Sequence, residues 1–171
     1  LVRQVASYTP EKLILLDQAE SPLYELQLEI EQAYGTNFAE VVIADVREEA
    51  RMREIFKRHK PNVVYHAAAY KHVPMMEENP SEAIRTNVMG TKICVDLADE
   101  FKVEKFVMVS TDKAVNPTNI MGASKRIAEI YSQSKNVGSK TRYVTTRFGN
   151  VLGSNGSVIP LFKRQIAQGG P

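Results

Sequence analysis

The chain has 171 residues, of which 43% are hydrophobic and 25% charged, a balance that excludes a disordered chain and fits one globular domain. Its 22 basic and 20 acidic residues leave a net charge of +2, which excludes the broad positive field of proteins that bind nucleic acid or membrane surfaces by charge. Cys94 is the one cysteine, so an internal disulfide is excluded and a reducing cytoplasm is the expected setting. We expect the Cys94 thiol to be buried and inert.

Short apolar runs alternate with amphipathic segments along the chain. The apolar runs predict strands over Lys12–Leu16, Ala39–Ala44, Asn62–His66, Lys105–Val109 and Arg142–Arg147. The amphipathic segments predict helices over Leu23–Tyr34, Glu48–His59, Ser81–Phe101, Ile120–Asn136 and Val158–Gln168. Asn79 and Pro80 are a suitable cap and first turn for the third helix. Strands rich in Val, Ile and Leu that alternate with helices predict an α/β fold, a doubly wound, Rossmann-like parallel sheet with helices on both faces.

The first residues, Leu1–Tyr8, look like the end of a helix. A dinucleotide-binding fold normally opens with a strand and a glycine-rich turn that lead into this helix, and the sequence contains neither. We therefore expect residues 1–171 to be a partial NAD-binding and catalytic domain of a longer protein, with most of its C-terminal substrate-binding part absent. The missing strand would lie between the Leu13 strand and the Val63 strand.

Two acidic residues follow predicted strands. Asp17 ends the Leu13 strand, where a carboxylate can accept both ribose hydroxyls of an adenosine and would repel a 2′-phosphate, which favours NAD over NADP. Its alternative role is that of a turn or capping aspartate before the next helix. Asp45 and Val46 follow the Val41 strand and can read an adenine ring, Asp45 through its carboxylate and Val46 through its amide. Asp45 is otherwise an ordinary aspartate at a helix N-terminus.

Small and polar residues follow the Val63 strand. Ala67, Ala68 and Ala69 allow a ligand to approach the backbone closely, here a ribose and a pyrophosphate, whereas we expect His66 to be a packed, hydrogen-bonded histidine. Asn87 lies on an apolar helix stripe, where an amide must be paired. It either holds the neighbouring backbone near a cofactor or makes an ordinary hydrogen bond between helices.

Thr111, Asp112 and Lys113 directly follow the Lys105 strand, and the next helix carries Lys125. In an open parallel sheet, ligands bind at the carboxyl ends of the strands. Adjacent opposite charges change each other's proton affinity, which suits paired acid and base chemistry. These four residues are the strongest catalytic candidates, and no metal site is predicted.

Three stretches resemble one enzyme family: HAAAYKHVPMMEENPSEAIRTNVMGT (66–91), STDKAVNPTNIMGASKR (110–126) and TRFGNVLGSNGSVIPLFKRQI (146–166). The chain resembles the extended short-chain dehydrogenase/reductases. Within them it is similar to the nucleoside-diphosphate-sugar 4,6-dehydratases of bacterial polysaccharide biosynthesis, the UDP-N-acetylglucosamine 4,6-dehydratase group. The resemblance covers well over a third of the chain, in the expected order.

The resemblance implies a reaction that ends redox-neutral, in which NAD takes a hydride from C4 of the sugar and returns it to C6 after water has left. It implies that Lys113 removes the C5 proton, that Asp112 protonates the departing C6 hydroxyl and that Thr111 hydrogen-bonds the C4 oxygen. Lys125 would bind the nicotinamide ribose and lower nearby proton affinities.

The resemblance also assigns residues to the UDP-sugar substrate. Asn150 and Arg147 would contact the diphosphate and uridine, and Lys71 and His72 would line the sugar pocket, although a surface role suits Lys71 equally. Met121 (MGASK) stands beside the substrate, where the superfamily usually has the tyrosine of its Tyr-x-x-x-Lys motif. Because methionine cannot accept a proton, the C4 base stays open between Asp112 and a water.

The family further implies a homo-oligomer in the cytoplasm, with no nucleic-acid partner. The whole protein can carry a membrane anchor that holds it at the cytoplasmic face of the inner membrane. Two other functions compete. A UDP-N-acetylglucosamine 4-epimerase needs only the C4 hydride step and no acid for C6, and a non-catalytic nucleotide-binding module would be consistent with Met121.

Overall fold

A computed structural model describes residues 1–149, 151 and 158–170 of the chain. The strands are β1 Leu13–Asp17, β2 Ala39–Ile43, β3 Val63–His66, β4 Lys105–Val109 and β5 Arg142–Thr146. The α-helices are α1 Val2–Ala6, α2 Glu20–Tyr34, α3 Glu49–His59, α4 Val73–Glu78, α5 Pro80–Ala83, α6 Thr91–Glu100, α7 Ile120–Ser134 and α8 Val158–Ala167. A π-helical segment, Ile84–Gly90, joins α5 to α6, and a 3-10 turn, Asp112–Ala114, follows β4.

The strand pairs of the described residues are all parallel, which confirms the predicted α/β fold. β1 pairs with β2 in one sheet, and β4 lies between β3 and β5 in the other. In the described ranges no strand pairs with both β1 and β3, the position at which the sequence analysis places the missing strand. None of the helices in these ranges is long and apolar enough to cross a bilayer.

One hydrophobic cluster connects the two sheets. Val42 of β2 and Phe106 of β4 belong to it, together with Val95 and Leu97 of α6. Cys94 lies in the same cluster and is buried, as expected, and its burial raises the pKa of the thiol to about 12. Because this core contains residues of both sheets and of α6, that helix, which continues the π-helical segment containing Asn87, is packed rather than solvated.

The helices around Asn79 begin differently from the sequence prediction. Asn79 does not cap a helix with its side chain, because its amide donates instead to the carbonyl oxygen of Met75 at 2.9 Å. The short helix α4, which Met75 belongs to, was not predicted, since six residues are too few to show a helical period. Asn119 does cap α7, where its Oδ1 accepts from the amide of Gly122 at 2.7 Å.

Candidate active site

Two backbone hydrogen bonds fasten the carboxyl end of β4 to the end of β5 and the residues that follow it. The amide of Ser110 donates to the carbonyl of Thr146 at 2.8 Å, and the amide of Asp112 donates to the carbonyl of Phe148 at 3.1 Å. These bonds extend the pairing of β4 with β5 into the loop that follows. Thr111 then caps the 3-10 turn by accepting from the amide of Lys113 at 3.3 Å. The backbone that carries the predicted acid and base is therefore held in place.

Asp112 and Lys113 contact each other directly. Lys113 Nζ lies 3.2 Å from Asp112 Oδ1, and the Thr111 hydroxyl donates to the same oxygen at 2.9 Å. The Thr111 hydroxyl and then the Lys113 ammonium hold the pKa of the Asp112 carboxyl below its usual value. The two charged side chains are 55% and 38% exposed, so a ligand can reach both.

Gly122 brings the first turn of α7 onto this pair. A Cβ atom at Gly122 would lie 2.2 Å from the carbonyl oxygen of Lys113, a distance that no side chain can occupy. The helix therefore packs directly on the backbone of the 3-10 turn. Gly122 was not among the predicted site residues. The available indication was a glycine in the first turn of a helix, where alanine is preferred.

Lys125 extends from α7 to the end of β4, where its Nζ donates to the carbonyl of Val109 at 2.7 Å. The residue is 4% exposed, and burial lowers the pKa of its ammonium to about 8. Glu129, one turn along α7, opposes this effect through its negative charge. The predicted catalytic residues Thr111, Asp112, Lys113 and Lys125 therefore meet at one strand end.

Lys125 gives the protein a testable pH dependence. Because the pKa of Lys125 is about 8 in the folded chain and ordinarily 10.5, the unfolded chain binds more protons between these values, and stability rises as the pH increases through this window. We expect Lys125→Met to lose this rise, which is on the order of 2–3 kcal/mol. Urea unfolding of both proteins at pH 7, 8.5 and 10 measures the difference. Lys140→Met, at an exposed position, is the control, and parallel curves for wild type and Lys125→Met would contradict the expectation.

His66 lies beneath the site, as expected for a packed histidine. Its Nε2 is 2.9 Å from the hydroxyl of Thr91, which itself donates to the carbonyl of Asn87 at 2.7 Å. Because the one hydroxyl proton is used in that bond, His66 must donate from Nε2, which assigns its neutral tautomer. Burial, with the nearby charge of Lys125, lowers the pKa of His66 to about 3.

Asn87 joins the loop after β3 to α7. Its Oδ1 accepts from the amide of Tyr70 at 2.8 Å, and its Nδ2 donates to the Tyr70 carbonyl at 3.1 Å and to the Ser124 hydroxyl at 3.0 Å. The side chain thus makes both kinds of contact that the sequence suggested, to a neighbouring backbone and between helices. Asn87 lies in the π-helical segment, a distortion often found at functional sites.

The predicted cofactor residues end neighbouring strands. Asp17 is exposed, and its Oδ1 accepts from the amide of Ala19 at 2.9 Å. Asp45 accepts from the amide and side chain of Arg47, a partner that the sequence analysis did not anticipate and that lowers the pKa of this carboxyl. Val46 is buried, and its Cγ2 would lie 2.8 Å from a Cβ at Gly90.

Ala67, Ala68 and Ala69 follow β3 and range from exposed to half-buried, so their backbone is accessible from the carboxyl end of the sheet. The adenine, ribose and pyrophosphate contacts of these alanines and of Asp17, Asp45 and Val46 stay predictions.

The residues assigned to the substrate are more scattered. Lys71 and His72 are exposed in the loop after β3. Met121 is 3% exposed and packs in an apolar cluster with Met76 and Ala83, so its side chain is largely covered by the protein itself. Asn150 lies outside the described residues. The contacts of all these residues with a substrate stay predictions.

Arg147 has a protein partner that the sequence analysis missed. Its Nε and Nη2 donate to the two carboxylate oxygens of Glu129 at 2.9 and 2.5 Å. Burial by itself would raise the pKa of Glu129, but hydrogen bonds from Arg147 and Arg126 hold that pKa at about 2. The spacing of Glu129 one turn after Lys125 was the only indication in the sequence.

Two surface hollows lie elsewhere, along β2 and α3, and both are lined in part by Arg51 and Arg58. Neither hollow includes a residue of the β4 site. At that site Asp112 and Lys113 are open to solvent, while Lys125 lies behind them.

Several curated relatives act in sugar-nucleotide or capsule chemistry. The chain is 56% identical to the capsular polysaccharide biosynthesis protein CapD of Staphylococcus aureus, covering 100% of this chain and 29% of that protein. It is 40% identical to a UDP-N-acetylglucosamine 4,6-dehydratase (inverting) of Campylobacter jejuni, covering 95% of this chain and 48% of that protein. It is 47% identical to a UDP-glucose 4-epimerase of Rickettsia rickettsii, covering 74% and 38%. The chain thus spans less than half of each of these relatives.

A solved structure shares the fold. The dTDP-glucose 4,6-dehydratase DesIV of Streptomyces venezuelae, determined as a double mutant with NAD bound, superposes with a TM-score of 0.81 at 22% identity, covering 99% of this chain and 58% of that one. This likeness establishes the Rossmann-like fold. The family model described as polysaccharide biosynthesis protein matches residues 1–171, and the chain is a member of that family.

Proposed function

We propose that this chain supplies the catalytic acid, base and cofactor-side residues of an NAD-dependent 4,6-dehydratase that converts a UDP-N-acetylhexosamine into a 4-keto-6-deoxy sugar nucleotide. The observation that carries the proposal is the contact of Asp112 with Lys113 at the end of β4, beside the buried ammonium of Lys125. A reaction that only moves a hydride at C4 needs no such acid–base pair. Elimination of water from C5 and C6 needs both members.

The residues around β1, β2 and β3 fit a dinucleotide. Asp17 places a carboxylate at the end of β1 for the adenosine ribose, and its exposure leaves it accessible to a ligand. Ala67–Ala69 offer small side chains beside the backbone after β3, where a pyrophosphate can approach. Lys125 would hold the nicotinamide ribose. When bound, NAD accepts a hydride from C4 of the sugar and returns it at C6.

The acid and base act on the oxidised sugar. Once C4 is a ketone, the C5 proton is acidic, and the Lys113 amine removes it while Asp112 protonates the departing C6 hydroxyl. Thr111 hydrogen-bonds the C4 oxygen. In this step the C5–H bond and the C6–O bond break, a C5–C6 double bond forms, and one water leaves.

The proton balance explains the pair seen in the structure. The step begins with neutral Lys113 and protonated Asp112 and ends with an ammonium and a carboxylate, the ion pair described above. When the hydride returns to C6, the Lys113 ammonium gives its proton back to C5 and becomes neutral again. The Asp112 carboxylate recovers its proton from the C4 hydroxyl that is oxidised, directly or through a water.

A UDP-sugar 4-epimerase is the second candidate, and the 47% identity to a UDP-glucose 4-epimerase favours it. It would use the same cofactor and the same C4 chemistry. It gives no role to Asp112 as an acid at C6, which is why we place it second.

One incubation separates these functions. The whole protein is supplied with UDP-N-acetylglucosamine and NAD, and the products are identified by mass spectrometry and NMR. The proposal predicts a sugar nucleotide that has lost one water and carries a 4-keto group and a 6-methyl group. Formation of UDP-N-acetylgalactosamine would indicate the epimerase, and binding of NAD without any change in the sugar would indicate a non-catalytic module.

A further inference from the structure

Glu129 is a charged residue with no exposed surface, yet the chemistry above gives it no role. Arg147 donates to both carboxylate oxygens of Glu129 in a bidentate contact, and Arg126 Nη1 lies 3.1 Å from Oε2. A buried charge is costly unless it is fully paired, and breaking such a pair is more costly than replacing both members by apolar residues. Stability alone therefore does not explain why a charge is placed here.

Arg147 links this buried carboxylate to the catalytic turn through the backbone. It follows the last residue of β5 and precedes Phe148, whose carbonyl accepts the amide of Asp112 at 3.1 Å. The path from α7 to the acid thus consists of the Glu129–Arg147 contact, one peptide unit and one hydrogen bond. Because the guanidinium fork is planar and binds a carboxylate in one orientation, it fixes direction as well as distance.

The same carboxylate stands one helical turn from Lys125. Two titratable groups act on Lys125 or respond to its charge: the Glu129 carboxylate on the same helix and the His66 ring from β3, which is neutral. Glu129 thus contacts Arg147 after β5, and its charge also acts on Lys125 of α7.

We propose that Glu129 is a positioning residue, which holds the Arg147–Phe148 backbone against α7 and thereby fixes Asp112 for proton delivery. This role rests on the proposed dehydratase function. In this role Arg147 holds the backbone of the loop and does not contact the substrate directly. Arg126 shares the carboxylate but lies on α7 itself, so it has no part in holding the loop.

Three variants of the whole protein test this role. Glu129→Gln keeps the shape of the side chain but removes its negative charge. Arg147→Lys keeps the positive charge but removes the bidentate hydrogen bonding of the guanidinium. Arg126→Met removes a contact to Glu129 that does not lead to the loop. We expect the first two to lower kcat by about tenfold or more, with the KM for the sugar nucleotide within about threefold of wild type, because a displaced acid slows the chemistry rather than binding. We expect Arg126→Met to stay within about twofold of wild type in both constants.

Hydrogen–deuterium exchange provides a measurement that does not depend on turnover. A peptide that covers residues 110–115 should exchange faster in Glu129→Gln and Arg147→Lys, while a peptide from α6 should not change. If the wild-type protein proves inactive on UDP-N-acetylglucosamine, the dehydratase proposal fails, and the exchange result still decides whether Glu129 orders the Asp112 turn. If Glu129→Gln does not fold, Arg147→Lys carries the test, since it leaves the buried carboxylate paired with a cation.

Two results would overturn the inference. Folded Glu129→Gln with wild-type kcat and unchanged exchange at 110–115 would show that the carboxylate does not act on Asp112. A rise of KM alone in Arg147→Lys, without loss of kcat, would show that Arg147 instead binds the substrate directly.

Discussion

Lys113→Met should reduce elimination by about a hundredfold or more while the protein remains folded and binds NAD normally. Lys113 is the proposed base for the C5 proton, and methionine keeps the aliphatic stem but has no amine. The stability cost should be small, because an ion pair that is 38% and 55% exposed contributes about 0–1 kcal/mol. Release of the 4-keto-6-deoxy product measures the rate, and Lys140→Met is the matched control at an exposed position.

Isotope exchange separates the base from the acid. Where a water serves as the C4 base, Asp112→Asn in D2O should still exchange the C5 proton of the oxidised sugar through Lys113 but should form little product, because an amide cannot protonate the leaving hydroxyl. Lys113→Met should neither exchange nor eliminate. Turnover of Lys113→Met at the wild-type rate would disprove the assignment of the base, and C5 exchange in that variant would place the base elsewhere.

The strands were predictable because their cause is local. Five runs of Val, Ile, Leu and aromatic residues are bounded by polar or turn residues. β4 has the predicted bounds, and each of the other four strands differs from its predicted bounds by one or two residues. The meeting of Asp112, Lys113 and Lys125 was predictable from topology, since a parallel sheet collects ligand-binding residues at its carboxyl edge. Both inferences need only sequence order and hydrophobic pattern.

Glu129 and Gly122 were not predictable for the opposite reason. The role of Glu129 depends on Arg147, which is 18 positions away and belongs to another element. On sequence alone Glu129 looks like one more polar residue in a helix. The role of Gly122 depends on a backbone oxygen of another segment, and a glycine in a helix does not reveal which atom it makes room for. Met121 differs from these two residues, because packing is what a methionine at the usual tyrosine position is expected to do, and its side chain packs with Met76.

Gly122→Ala should impair both stability and catalysis, although alanine normally improves a helix. At an open helical position this change stabilises by about 0.5–1 kcal/mol. Here the added Cβ would overlap the Lys113 carbonyl oxygen at 2.2 Å, so the turn Asp112–Ala114 or the start of α7 must move. Overpacking of this kind costs about 1–3 kcal/mol. A shift of about 1 Å in the acid–base pair can lower kcat by about a hundredfold.

The control for Gly122→Ala is Gly170→Ala, because the nearest atom to a Cβ there is 3.7 Å away, an ordinary contact. We expect Gly170→Ala to keep the wild-type Tm and kcat. For Gly122→Ala we expect a lower Tm, and a loss of kcat that persists well below that Tm, where the variant is fully folded. Such persistence shows that the displaced turn, and not unfolding, limits the reaction. If Gly122→Ala had the wild-type kcat and Tm, the turn Asp112–Ala114 could move without loss of stability. The close packing of α7 on Lys113 would then not position the base.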